Sequence, residues 1–317
     1  MTFSRSESCE NRCKEIHKYL GDVVFLIQNL ASLSQTECKK IRDTYTEIYG
    51  EDLVQILGST AMAGQESSRT CAALSSLMLN PHERDAEVAR EALNEPINFK
   101  ALVEIFTCRK SSHVLLLLQA YRTRFRRQLD QDIAKIEPPN PYQKILMALS
   151  ASHKAHSADI SQHIAKCDAK RLHQTGEGKS GAIDESVVIE ILSKRSIAQL
   201  KLTFSTYNHI YGHTYTSFLK NEKFGEFEDA VRMVTKFICN PPKQYAKTLY
   251  TCLKGTTTDK GALIRIMMSR AEVDMDEIQK VFKKKYGMEL KSAIYDSVPA
   301  GNHRDLLVAL ATKVSLD

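Results

Sequence analysis

Near the end of the chain runs Cys252-Leu253-Lys254-Gly255-Thr256-Thr257-Thr258-Asp259-Lys260-Gly261-Ala262-Leu263-Ile264-Arg265-Ile266-Met267-Met268-Ser269-Arg270-Ala271-Glu272. A Gly-Thr loop opens onto an apolar stretch of helical periodicity that ends in Ser-Arg. Three earlier stretches resemble that helix: Leu26–Leu30, Leu102–Phe106 and Val188–Leu192. Their first residues and Leu263 stand 76, 86 and 75 residues apart. An aromatic marker keeps the same intervals, from Tyr49 to Phe125 to Tyr211 to Tyr286. So does a third, at Leu33, Arg109, Arg195 and Arg270. Three markers in one register predict four copies of one unit.

Each unit reads as helix throughout. Apolar residues recur with a period near 3.6, as at Leu200, Phe204, Tyr207 and Tyr211, and no segment alternates as a strand would. Gly50, Gly212 and Gly287 follow the aromatic marker, where a left-handed cap ends a helix. The second unit has no glycine there. Counting apolar stretches gives about five helices per unit. Asn80-Pro81 and Asn240-Pro241-Pro242 mark boundaries, because the residue before proline resists the helical region. The units expected are 8–80, 81–155, 163–241 and 242–317, packed in one compact body.

Composition sets the class. Of 317 residues, 43% are hydrophobic and 26% charged, ordinary for a soluble globular protein. The net charge of +6 is too small to argue for nucleic acid, and it suits contact with an anionic lipid surface. The longest apolar run is Val114–Leu118, so no membrane-spanning helix is expected. The first residues have no apolar signal core, and the eight cysteines show no CxxC spacing. They read as reduced thiols of a cytoplasmic protein.

Residues 151–182 join the second and third units. His153, His156, His163 and His173 fall here, near Cys167 and Asp168. They match no metal-site spacing, and the stretch reads as a solvated linker. It ends Gly176-Glu177-Gly178-Lys179-Ser180-Gly181. A phosphate loop would need glycine at His173 and a preceding strand, so nucleotide binding is rejected. The stretch reads as the third unit's copy of the loop before the second helix. No Ser-His-Asp or Cys-His arrangement supports hydrolysis, and the chain is not expected to be an enzyme.

A glycine-rich loop can turn carbonyl oxygens toward one point, and a carboxylate from elsewhere completes a calcium site. Lys254-Gly255-Thr256-Thr257-Thr258-Asp259 resembles the calcium loop of the annexins, Lys-Gly-x-Gly-Thr-Asp. Tyr49–Leu53 and Ser269–Asp274 are also typical of that family. Pro81–Ala86, Phe106–Arg109 and Cys239–Pro241 look most like its plant branch. The resemblance implies an all-α fold of four annexin-like repeats. It also implies peripheral, calcium-dependent binding to acidic phospholipid membranes. Carried over by residue, the Ca2+ ligands would be the carbonyls of Leu253, Gly255 and Thr257 and the carboxylate of Asp296. Thr257 stands where the family has its second glycine, so the site in repeat 4 is degenerate. The other three loops lack the pattern.

Two alternatives remain open at this stage. One is a calcium-independent lipid or cytoskeletal scaffold, using the basic clusters Arg122/Arg124/Arg126/Arg127 and Lys283–Lys285. The other is a redox protein of peroxidase-like activity, since Cys108 and Cys239 sit where plant annexins carry two cysteines. Both cysteines flank apolar helices, where cysteine is usually a small buried hydrophobe.

Overall fold

The computed structural model describes residues 3–59, 65–152, 160–178, 183–220, 225–256 and 261–313. Among these the regular structure is entirely helical, with twenty α-helices. The first five are α1 (Phe3–Lys18), α2 (Val23–Leu30), α3 (Gln35–Tyr49), α4 (Leu53–Ser59) and α5 (Gln65–Met78). Then come α6 (Pro81–Ala92), α7 (Phe99–Thr107), α8 (Ser111–Phe125), α9 (Leu129–Ala134) and α10 (Pro141–Ser152). The third set is α11 (Gln162–Gln174), α12 (Glu185–Lys194), α13 (Ile197–Tyr211), α14 (Tyr215–Phe218) and α15 (Glu226–Cys239). The last is α16 (Pro241–Leu253), α17 (Ala262–Arg270), α18 (Met275–Tyr286), α19 (Leu290–Ser297) and α20 (Asn302–Thr312). Pro81, Pro141 and Pro241 each occupy the first position of a helix, where a missing N–H costs nothing.

The chain forms two compact units. One comprises Met1–Arg84 and Tyr245–Asp317, the other Asp85–Gln244. In the first, α2, α5 and α20 pack together; in the second, α10 packs on α7, α12 and α15. The cores are the apolar faces the periodicity predicts, including Leu26, Leu102, Val188 and Ile266.

The three sequence markers acquire physical roles. The aromatic marker stacks on the first helix of its own set. Tyr49 lies on His17 at 3.9 Å between ring centres, Tyr211 on His173 at 3.9 Å, and Tyr286 on Tyr250 at 3.8 Å. One helical turn earlier, Tyr45, Tyr121, Tyr207 and Phe282 are fully buried. The turn that follows is left-handed in all four places: Gly50 (φ 70°), Arg126 (φ 55°), Gly212 (φ 76°) and Gly287 (φ 71°). The second set thus keeps the turn without the glycine, by holding an arginine in a conformation that L-residues disfavour by roughly 1–2 kcal/mol.

The arginine marker anchors buried charge. Arg109 donates two hydrogen bonds to Asp85, at 2.6 and 3.0 Å, and Arg195 does the same to Asp168, at 2.7 and 3.2 Å. His113 also contacts Asp85, at 2.8 Å. Burial pushes the Asp85 carboxyl up, but the charge and hydrogen bonds of Arg109 and His113 outweigh it and hold the group far below the ordinary carboxylate range. In the last set Arg270 bonds Asp274 instead, at 2.7 and 2.6 Å, and lies over the Tyr245 ring. Leu33, the one apolar marker, is simply buried.

Candidate calcium loop

Four loops lead into α2, α7, α12 and α17, and three of them close onto their own helix. Asp22 accepts from the Phe25 N–H at 3.0 Å, and Asn98 from Ala101 at 3.0 Å. Asp184 accepts from Ser186 at 3.0 Å and Val187 at 3.4 Å. Each side-chain oxygen satisfies a helix N–H that would otherwise lack a partner. At α17 the capping position is Gly261, which brings no side chain.

The loop before α17 is also built differently at its start. Gly255 is left-handed, at φ +66°, and nothing lies within 4 Å of where a Cβ would project. The chain leaves α16 through three hydrogen bonds: Lys254 N–H to the Tyr250 carbonyl (3.0 Å), Gly255 N–H to Cys252 (3.1 Å) and Thr256 N–H to Thr251 (3.0 Å). The Thr256 hydroxyl also donates to the Thr251 carbonyl, at 3.2 Å. The carbonyls of Leu253 and Gly255 accept no hydrogen bond among the described residues. Thr257, the third expected carbonyl ligand, lies outside the described residues.

Asp296 stands on α19, one residue before its end, exposed and with no hydrogen bond or ion pair among the described residues. The structure therefore joins Leu253 and Gly255 in one turn. It places Asp296 on another helix of the same compact unit, with no bond linking the two. No three His, Cys, Asp or Glu side chains among the described residues gather around a point. A cation here would depend on main-chain oxygens plus one carboxylate, which is the donor chemistry of calcium rather than of a transition metal. The residues fit Ca2+ in donor type.

In the calcium-loop pattern that the chain resembles, the acidic ligand comes late in the repeat, near the starts of α5, α10, α15 and α20. Residues 60–64 and 221–224 lie outside the described residues. After α9, the Gln143 amide donates to the carbonyls of Ile133 (3.0 Å) and Ala134 (2.8 Å), so those oxygens are engaged.

The glycine-rich 176–178 stretch follows α11 and precedes α12. Lys179, Ser180 and Gly181 lie outside the described residues. Gly176 is buried, and a Cβ there would meet the Leu172 carbonyl at 3.0 Å and Phe218 at 3.1 Å. The Glu177 carboxylate takes hydrogen bonds from the Tyr207 hydroxyl (2.8 Å) and His213 (2.9 Å). These bonds tie the Glu177 side chain to Tyr207 of α13 and to His213 just beyond that helix. The connector around it is not a linker throughout: residues 162–174 form α11, whose face of Ala165, Asp168, Ala169 and Leu172 is buried. The two-state pattern that reveals this helix, small and apolar residues four apart, is interrupted by lysines and histidines in the sequence. His153 and His156 lie outside the described residues.

Cys108 caps the end of α7 and Cys239 ends α15; both are thiols and partly buried, and the two helices pack together. Burial pushes the Cys239 thiol up to about 11, so it stays protonated near neutral pH. Of the basic clusters, Arg124 is paired with Glu87, Arg127 with Asp132 and Lys283 with Glu289. Arg122, Arg126 and Lys284 remain exposed with no ion pair among the described residues. No described helix is long and apolar enough to cross a membrane.

The annexin family model matches residues 167–234 and 244–310. The chain is 34% identical to human annexin A3 over 92% of its length and 88% of that protein. It is 31% identical to mouse annexin A13 over 91% and 89%. The solved structure of annexin III superposes with a TM-score of 0.84 at 31% identity, covering 96% of this chain and 93% of that one. These relatives are mammalian or unspecified in source, and the likeness of 81–86, 106–109 and 239–241 to the plant branch gains no support from them. Whole-length similarity in both sequence and fold establishes that the chain belongs to the annexin family.

Proposed function

We propose that this annexin binds acidic phospholipid membranes peripherally and that the loop between α16 and α17 is its working calcium site. Annexin homology implies calcium-dependent phospholipid binding, and the family is typically non-enzymatic. The observation that carries the choice of loop is the left-handed turn at Gly255, with the Leu253 and Gly255 carbonyls accepting no hydrogen bond among the described residues. Leu253, Gly255 and Thr257 would hold the ion through their carbonyls, and Asp296 through its carboxylate. Bound calcium would supply open positions for a lipid phosphate oxygen. The other three loops have a side-chain oxygen already committed to a helix end. Residues 8–80, 81–155, 163–241 and 242–317 act as four copies of one helical unit, one of which keeps the site. The protein works in the cytoplasm, reversibly associated with membrane.

Arg122, Arg126 and Lys284 favour one second reading, adhesion by charge without calcium, worth about 1 kcal/mol per cation near an anionic surface. Redox chemistry at Cys108 and Cys239 has weaker support, because the Cys239 thiol is held protonated.

Sedimentation with phosphatidylserine vesicles tests these readings, with calcium or with a chelator, for the parent and Asp296→Ala. Binding that needs calcium and falls in Asp296→Ala is the expected result. Binding indifferent to calcium and to the substitution, but weakened by salt, would transfer the role to the basic residues.

A further inference from the structure

We propose that His163 and Cys167, on α11, form half of a tetrahedral site for a soft divalent cation such as zinc, separate from the calcium loop. The two residues are four apart, hence neighbours on one helix face. Both are exposed, and the Cys167 sulfur lies 3.7 Å from Nε2 of His163. Zinc binds thiolate sulfur at about 2.3 Å and imidazole nitrogen at about 2.0–2.1 Å. At a tetrahedral angle those lengths put sulfur and nitrogen about 3.6 Å apart. The pair is already set at the edge length of such a site.

The surroundings hold it there. Ser161 caps α11 by accepting from the Ile164 N–H at 3.3 Å, which fixes the first turn. The opposite face, Ala165, Ala169 and Leu172, is buried, and α11 packs against α13, so the helix cannot rotate away. Asp168, next in sequence, is committed to Arg195 and is not a ligand. With no third His, Cys, Asp or Glu in reach among the described residues, the remaining positions fall to water or to donors of another molecule. Cys167 is also set apart from the other seven cysteines, which are buried or partly buried; it is the exposed one. Thiolate and imidazole select a soft ion, whereas the carbonyl and carboxylate set of the calcium loop selects a hard one. On binding, the thiol gives its proton to solvent and the thiolate sulfur bonds the metal; no electron is transferred.

The test uses the full chain with calcium present throughout, titrated with Cd2+ as a spectroscopic stand-in and then with Zn2+ in competition. The readout is the ultraviolet sulfur-to-metal charge-transfer band. The expected result is a band saturating at one equivalent, absent in Cys167→Ser and displaced by Zn2+. His163→Gln should weaken the affinity by at least the roughly tenfold that loss of even an outer-shell partner costs. Both side chains are exposed, so the variants should fold, and unchanged circular dichroism would verify that. A band of full size in Cys167→Ser would place the metal on another thiol and overturn the proposal. Equal affinity in His163→Gln and the parent would reduce the site to a single exposed thiol and overturn it too.

Discussion

The loops before α12 and α17 both contain glycine, and the two glycines do opposite things. Gly176 is buried in a corner where a Cβ would meet the Leu172 carbonyl at 3.0 Å. Gly255 is exposed, left-handed, and has nothing within 4 Å. Around Gly176 the described acidic side chains are already bonded: Glu177 to Tyr207 and His213, and Asp184 to the first turn of α12. Around Gly255 two carbonyls accept nothing among the described residues. Glycine content alone therefore does not identify a binding loop. What separates the two loops is the backbone turn and its packing: one glycine is left-handed and open, the other is enclosed by a carbonyl and a ring.

Substitutions can sharpen or break that contrast. The largest effect is expected for Gly176→Ala. The added methyl must displace a backbone carbonyl and the Phe218 ring, an overpacking that costs roughly 1–3 kcal/mol. Urea unfolding would measure it, and a loss under about 0.5 kcal/mol would mean the loop yields and is not structural. Gly255→Ala should cost about 1 kcal/mol, from the left-handed backbone alone, while weakening calcium-dependent sedimentation. A stability loss with no change in sedimentation would separate this turn from membrane binding. Asp184→Ala should remove about 1 kcal/mol by leaving two N–H groups of α12 uncapped.

The smallest effect concerns Glu177. Burial raises its carboxyl pKa, but hydrogen bonds from Tyr207 and His213 outweigh that and hold it below the usual range. A folded value below the unfolded one, near 4.3, stabilises the native state above about pH 4.3. That contribution disappears as pH falls through the lower folded value. Glu177→Gln should thus cost about 0.5 kcal/mol at neutral pH, with the gap from the parent closing on acidification below about pH 4.3. A gap that stays constant across that range would show that the carboxylate charge is not what the loop uses.

Much of this architecture was readable before any coordinates. The registered spacing of Tyr49, Phe125, Tyr211 and Tyr286 required equivalent helices, and the left-handed ends at Gly50, Gly212 and Gly287 follow from the one residue that adopts that turn freely. Asp22, Asn98 and Asp184 each stand within three residues of the apolar stretch that opens the next helix, and so carry a readable N-cap signal. That signal distinguishes three closed loops from the fourth, where Gly261 stands instead.

The remainder needed tertiary structure, because it depends on which groups meet. Arg126 adopts the left-handed turn although its side chain gives no sign of it; the helices it joins impose the geometry. A helix is expected before the glycine stretch, but the lysines and histidines of 162–174 conceal that one face of it is buried. Arg109 and Arg195 recur at one register, but only folding brings Asp85 and Asp168, 24 and 27 residues earlier, into bonding distance. Sequence determined the repeat, the helical class and the turns that glycine marks, since these follow from local periodicity and backbone preference. Tertiary structure decided which polar atoms are satisfied and which remain available, because a hydrogen-bond partner can lie anywhere along the chain.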